Sequence, residues 1–275
     1  MGIQNSSIMK EKQFKLNHVN LFYRDNERGR LPVFFIHGNS LHGGLFYKQF
    51  EALSQYRLIV PDLPGHGQSQ FSEDPARDYG VGSYIRLLAE FIQSFNFGKC
   101  ILLGHSLGGH LAIHLADQLR NITGLAIMGT PPLTLPPRLN EAFLPHPAMG
   151  CTFQSDLNEE EINLLASSFI DPSHSGYDLA KESILTCDNR VRSCIGQSLA
   201  TDLTRDEASI LKELAVPLAV FHGENDPLVN DQYIQDLNLP LWNNRIRYIP
   251  QAGHSAFLEN PGEFNSCFKE FLDDL

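Results

Sequence analysis

Gly104-His105-Ser106-Leu107-Gly108 follows the apolar run Cys100–Leu103 and leads into a helical pattern in which Leu107, Leu111, Leu115 and Leu119 recur every fourth residue. A G-x-S-x-G pentad between a strand and a helix places a serine hydroxyl on a tight turn above a sheet. The glycines allow strand and helix backbones to approach closely. The helix N-terminus favours negative charge developing beside Ser106. This is the setting of a serine nucleophile, which needs a base because a free hydroxyl is a poor nucleophile at neutral pH. Of the eleven histidines, His254 follows the apolar stretch Ile246–Ile249 and precedes the last helical pattern. It is therefore expected on a loop at the C-terminal end of a strand, where parallel sheets keep their sites, as general base and acid. Asp226 follows the run Leu218–Phe221 and is expected to orient the imidazole, with Glu224 as the near alternative; Asp206 and Asp231 lie off the strand end. The chain order Ser106, Asp226, His254 differs from that of the chymotrypsin and subtilisin folds. Backbone N–H groups of Leu107 and of Asn39, on the loop after Val33–Ile36, are expected to form an oxyanion hole. The Asn39 side chain could also hold substrate.

The other histidines read differently. His110 and His114 share a helix face without an adjacent acidic residue, which fits packing or solvent-facing roles better than metal binding. His66, in Pro61–Ser69, reads as structural. No metal or cofactor is expected. Five cysteines, odd in number and without C-x-x-C spacing, fit reduced thiols in the cytoplasm. The net charge of −11 argues against nucleic acid and anionic membrane as partners and fits solubility. No secretory signal or membrane span is expected. Met1-Gly2 with Ser6 fits a loose myristoylation pattern, read here as coincidental.

The secondary structure around these residues is legible as a rhythm. Val33–Ile36, Leu58–Val60, Cys100–Leu103, Leu125–Met128 and Leu218–Phe221 are continuous apolar runs, suited to strands buried on both faces. Helical patterns lie between them, including Tyr84–Phe95 and a C-terminal helix with Asn260 as cap and Pro261 at its first position. Strand–helix alternation predicts an α/β fold with a mostly parallel central sheet flanked by helices. Phe14–Arg24 predicts an antiparallel edge hairpin. From Thr130 to Arg205 the rhythm stops. Six prolines open the segment, Asn158 and Glu161 read as a capping box, and a second helical stretch covers about Tyr177–Leu199. A chain of 275 residues carries a soft prior of about two domains. We read it instead as one core, residues 1–130 and 206–275, interrupted by a helical cap at 131–205.

Together, His37–Ser40, Pro61–Ser69, Gly104–Gly109, His222–Val229 and Ala252–Pro261 resemble the α/β-hydrolase fold superfamily of serine hydrolases. Within it, His37–Phe46, Asp74–Tyr84, Ser106–Ile113 and Gly124–Pro132 are most similar to the metal-independent N-acyl-homoserine lactonases. The resemblance implies a small acyl ester or lactone as substrate. Three positions depart from that group: Asp226 where the acid need not be Asp, His105 where relatives can carry Trp, and Leu165 where a polar residue could hold substrate. Ser106 excludes relatives that use an Asp nucleophile, the haloalkane dehalogenases and epoxide hydrolases. The same triad would also serve an amidase, a C–C bond hydrolase or a perhydrolase, and a slow small-ligand receptor could retain it.

Overall fold

A computed structural model describes residues 9–275 apart from 17, 30, 200, 203 and 204. The Met1–Ser6 pattern lies outside the described residues. Eight strands form one sheet: β1 (Lys10–Lys15), β2 (Asn20–Asp25), β3 (Pro32–Ile36), β4 (Arg57–Pro61), β5 (Cys100–His105), β6 (Ile122–Met128), β7 (Leu218–Gly223) and β8 (Arg247–Ile249). Their spatial order is β1-β2-β4-β3-β5-β6-β7-β8. The first two are antiparallel, as is the β2–β4 pair, and all later pairs are parallel. Every continuous apolar run noted above lies in one of the strands β3 to β7, and β3, β5 and β7 are buried along their whole length. Helices over both faces supply that burial. Val81–Ser94 packs an aromatic cluster in which Phe91 meets Phe14, Tyr23 and Phe34 edge-on. Pro261–Asp273 stacks Phe264, Phe268 and Phe271 beneath Phe221 and Phe35. Asn260 caps it by accepting from the Glu263 amide.

Between β6 and β7 the described residues contain helices and no named strand. The Asn158–Glu161 box forms with both hydrogen bonds, at the start of the helix Glu159–Phe169. The single helical stretch expected over Tyr177–Leu199 is instead two helices, Tyr177–Thr186 and Arg190–Ser198. The break has a tertiary cause. The Asp188 amide donates to Gly65 O at 2.8 Å and its carboxylate accepts from the Tyr79 hydroxyl at 2.8 Å, so the core holds this residue at the break while its oxygens accept from the Arg190 and Val191 amides at the start of the second helix.

Glycines are required where strand and helix cross beneath the serine. A Cβ at Gly104 would lie 2.2 Å from Gly108 O, and one at Gly108 would lie 2.1 Å from Ile36 O. Both obstacles are backbone. Gly108→Ala is expected to destabilise the protein by about 3 kcal/mol, at the upper end of what overpacking costs, which urea unfolding would measure. A loss under 1 kcal/mol would show that the helix can lift off the sheet cheaply.

Candidate active site

Ser106 sits between β5 and the helix Leu107–Gln118 with φ 52° and ψ −120°, a conformation costly for any residue with a side chain. It is held there by its neighbours. The Ser106 amide donates to Met128 O, while its carbonyl accepts from the Gly109 amide and the Thr130 hydroxyl, each at 2.9 Å. The sequence pattern shows the turn; Thr130, which pins it, carries no local signal.

His254 lies on the loop after β8, 2% exposed. Its Nδ1 lies 2.9 Å from Asp226 Oδ2. Asp226 Oδ1 accepts from the amides of Leu228 and Val229, at 2.9 and 3.2 Å. Burial pushes the Asp226 carboxyl up, but the His254 ring, its hydrogen bond, His222 and the Leu228 amide outweigh this and hold it below its ordinary value. An ionised carboxylate only accepts, so Nδ1 of His254 carries the proton and Nε2 is left as the basic atom. That Nε2 is buried and has no hydrogen-bond partner among the described residues. Glu224 is exposed and makes no side-chain hydrogen bond to the ring among the described residues. Asp206 caps the helix Glu207–Glu213 and Asp231 accepts from the Tyr248 hydroxyl, so neither reaches His254.

Ser106 and His254 line one cavity of about 790 Å³. The rest of its wall is mainly apolar, with Leu133, Phe143, Met149, Phe153 and Ile195 from the segment between β6 and β7. Asn39 and Leu107 line it too, and neither backbone N–H donates to a partner among the described residues. The Asn39 side chain is less free than expected. Its amide donates to Thr152 O at 2.9 Å and so ties the loop after β3 to the segment between β6 and β7. Arg192 strengthens that tie. It is 3% exposed and donates to Gln154 O at 2.8 Å, with Ser40 Oγ 3.5 Å away.

Several buried histidines shape the surroundings. His105 places its Nε2 3.1 Å from His254 O, fixing the His254 loop against β5. His37 accepts from the Leu63 amide and His66 from the Ser40 amide. Burial pushes His37 and His105 down to about 3 and His66 well below its ordinary value. These rings stay neutral in the fold but take up protons on unfolding below about pH 6.5. Their contribution to stability is therefore complete above pH 6.5 and is lost as pH falls toward 3. The thermal midpoint is expected to fall steadily between pH 6.5 and 4.5, before ordinary carboxylates titrate. A flat profile over that window would contradict neutral burial of these rings.

His110 and His114 are buried, which removes the solvent-facing option. Both face Glu207, 97 and 93 residues further along the chain: His110 Nδ1 lies 2.8 Å and His114 Nε2 3.3 Å from its oxygens. Among the described residues no group of three or more His, Cys, Asp or Glu is arranged to hold a metal ion, and no helix is long and apolar enough to cross a membrane.

The sheet order and the strand-end loops define a family. Residues 32–261 match the model of the alpha/beta hydrolase fold family. The chain belongs to that family and is an enzyme of it. Among solved structures it is similar to an N-acyl homoserine lactonase, AidH, complexed with N-butanoyl homoserine: 28% identity, TM-score 0.89, 96% of this chain and 97% of that one. A pimeloyl-[acyl-carrier protein] methyl ester esterase of Nitrosomonas europaea is 28% identical over 242 residues, 85% of this chain and 92% of that protein. A protein described as a putative esterase/lipase of Mycoplasma pneumoniae is 24% identical, covering 91% and 93%.

Proposed function

We propose that this chain is a cofactor-independent serine hydrolase of carboxylic esters or lactones, with N-acyl-homoserine lactones as the substrate class favoured. The observation that carries the reading is a buried His254–Asp226 pair whose basic Nε2 has no partner, in the same cavity as a serine held in a strained turn. His254 takes the Ser106 proton as Oγ attacks the carbonyl carbon, and the Asn39 and Leu107 amides receive the developing oxyanion. The tetrahedral intermediate collapses, and His254 gives the proton to the departing oxygen. Water, deprotonated by His254, then cleaves the acyl-enzyme and regenerates Ser106. Asp226 keeps the imidazole in the tautomer this requires. Residues 131–205 act as a cap: their apolar side chains form much of the acyl-binding wall, and the Asn39–Thr152 and Arg192 ties couple the cap to the oxyanion loop. The similarity to the lactonase AidH over nearly the whole chain favours the lactone. The cytoplasm fits five unpaired cysteines, four of them buried. A hydrolysis screen of simple p-nitrophenyl esters against acyl-homoserine lactones of varied length tests the reading. Turnover of the lactones is expected, with kcat/KM rising as the acyl chain fills the apolar wall. Turnover of esters alone would reduce the proposal to an esterase, and labelling by neither substrate nor a fluorophosphonate would overturn it.

A further inference from the structure

Glu207 is fully buried, and burying a carboxylate costs several kcal/mol unless it is paired. Here Oε2 is paired twice, while Oε1 has no hydrogen-bond partner among the described residues. The Leu133 amide donates to Oε2 at 2.7 Å, His110 Nδ1 meets the same oxygen at 2.8 Å, and His114 approaches Oε1 at 3.3 Å. As an ionised carboxylate Glu207 only accepts, so His110 Nδ1 carries a proton. In the neutral ring this leaves Nε2 as an acceptor.

His110 also differs from His114 in position. The ring is 6% exposed and lines the same cavity as Ser106 and His254, against walls that are mainly apolar, and its Nε2 has no hydrogen-bond partner among the described residues. Four residues along a helix is about 6 Å of rise, so His110 stands roughly that far along the axis from the nucleophile. A group fixed there meets the substrate a few bonds from the scissile carbonyl. A polar atom inside an apolar cavity disfavours a purely hydrocarbon occupant, because it must lose water without a replacement partner.

We propose that His110, oriented by Glu207, is a specificity-determining residue whose Nε2 accepts a hydrogen bond from a hydroxyl or amide N–H on the substrate, a few bonds from the reacting carbonyl. The inference rests on the hydrolase reading above and adds a chemical requirement to it. Glu207 is a positioning residue: it fixes which ring nitrogen faces the cavity.

The test compares p-nitrophenyl N-butanoylglycinate with its N-methyl counterpart, which lacks the N–H, and with p-nitrophenyl heptanoate, each rate corrected for spontaneous hydrolysis. The wild-type protein is expected to favour the N–H ester over the N-methyl ester by about tenfold in kcat/KM, the size of one buried hydrogen bond. In His110→Phe that ratio is expected to fall to within about twofold of one, with part of it retained in His110→Gln, whose side-chain oxygen still accepts. Glu207→Gln should lower the ratio as well, because a neutral amide no longer dictates the tautomer. A merely structural His110 would shift rates on all three esters together and leave the ratio intact. A wild-type ratio near one overturns the inference without recourse to any variant, as does a ratio unchanged in His110→Phe. Hydrolysis of the heptanoate with a ratio near one overturns this inference alone; failure to hydrolyse any of the esters overturns the hydrolase reading with it.

Discussion

Replacing Ser106 with alanine is expected to lower kcat on p-nitrophenyl butyrate by ~10⁴- to 10⁶-fold, the range seen when a serine nucleophile is deleted. The residual rate would come from the oxyanion donors and from binding. The substitution removes one oxygen from a side chain whose backbone is pinned by Met128 O, Gly109 and Thr130, so the turn should survive it. Far-ultraviolet circular dichroism and the thermal midpoint should match the wild-type protein. The strain at φ 52° exists with alanine as with serine, so no gain in stability is expected from relief of the turn. Turnover within tenfold of wild type would remove Ser106 from the chemistry and with it the acyl-enzyme. Trapping adds an independent reading: a fluorophosphonate should label the wild-type chain and fail to label Ser106→Ala.

Asp226→Asn is expected to cost ~10³- to 10⁴-fold in kcat, with little change in KM, because it disturbs the base and leaves the cavity intact. The carboxylate only accepts and so forces the proton onto His254 Nδ1. An asparagine can present its NH₂ group there, which favours the opposite tautomer and places the proton on the atom meant to receive one from Ser106. Part of the loss also comes from the missing negative charge beside the imidazolium formed in the transition state. Glu224→Gln supplies the contrast. Glu224 is exposed, and its backbone amide is fixed to Ile249 O at 3.0 Å, so it stands outside the pair and its loss should change kcat by less than about twofold, the usual scale for a surface change. If Glu224→Gln proved the more damaging of the two, the acid would have been assigned to the wrong carboxylate.

Much of this site was readable because its parts are local. The pentad around Ser106 carries its own turn chemistry, and the apolar runs before it and before Asp226 announce strands whose ends must carry loops. What was not readable depends on residues far apart in sequence. Nothing near Glu207 indicates that a carboxylate will be buried between two histidines 97 and 93 positions earlier. Nothing near Asn39 indicates that its side chain will be taken by Thr152 O, 113 residues away. The helix expected across Tyr177–Leu199 has adequate local propensity throughout, yet it breaks where Gly65 and Tyr79 capture Asp188. Tertiary hydrogen bonds outweighed intrinsic helix preference there.

The class of the sheet, the position of the turn at Ser106 and the chain order of the three candidate triad residues can be read from the chain alone, because hydrophobic period and glycine placement are properties of neighbouring residues. Tertiary structure alone decided which carboxylate meets His254, since Asp226 and Glu224 are two residues apart and only the packing at the end of β7 turns one inward and the other out. It also decided what surrounds the serine. An apolar cavity with His110 set into its wall is made where a helix beside β5 meets the segment between β6 and β7, and the chemistry of such a wall is fixed only when those elements close on one another.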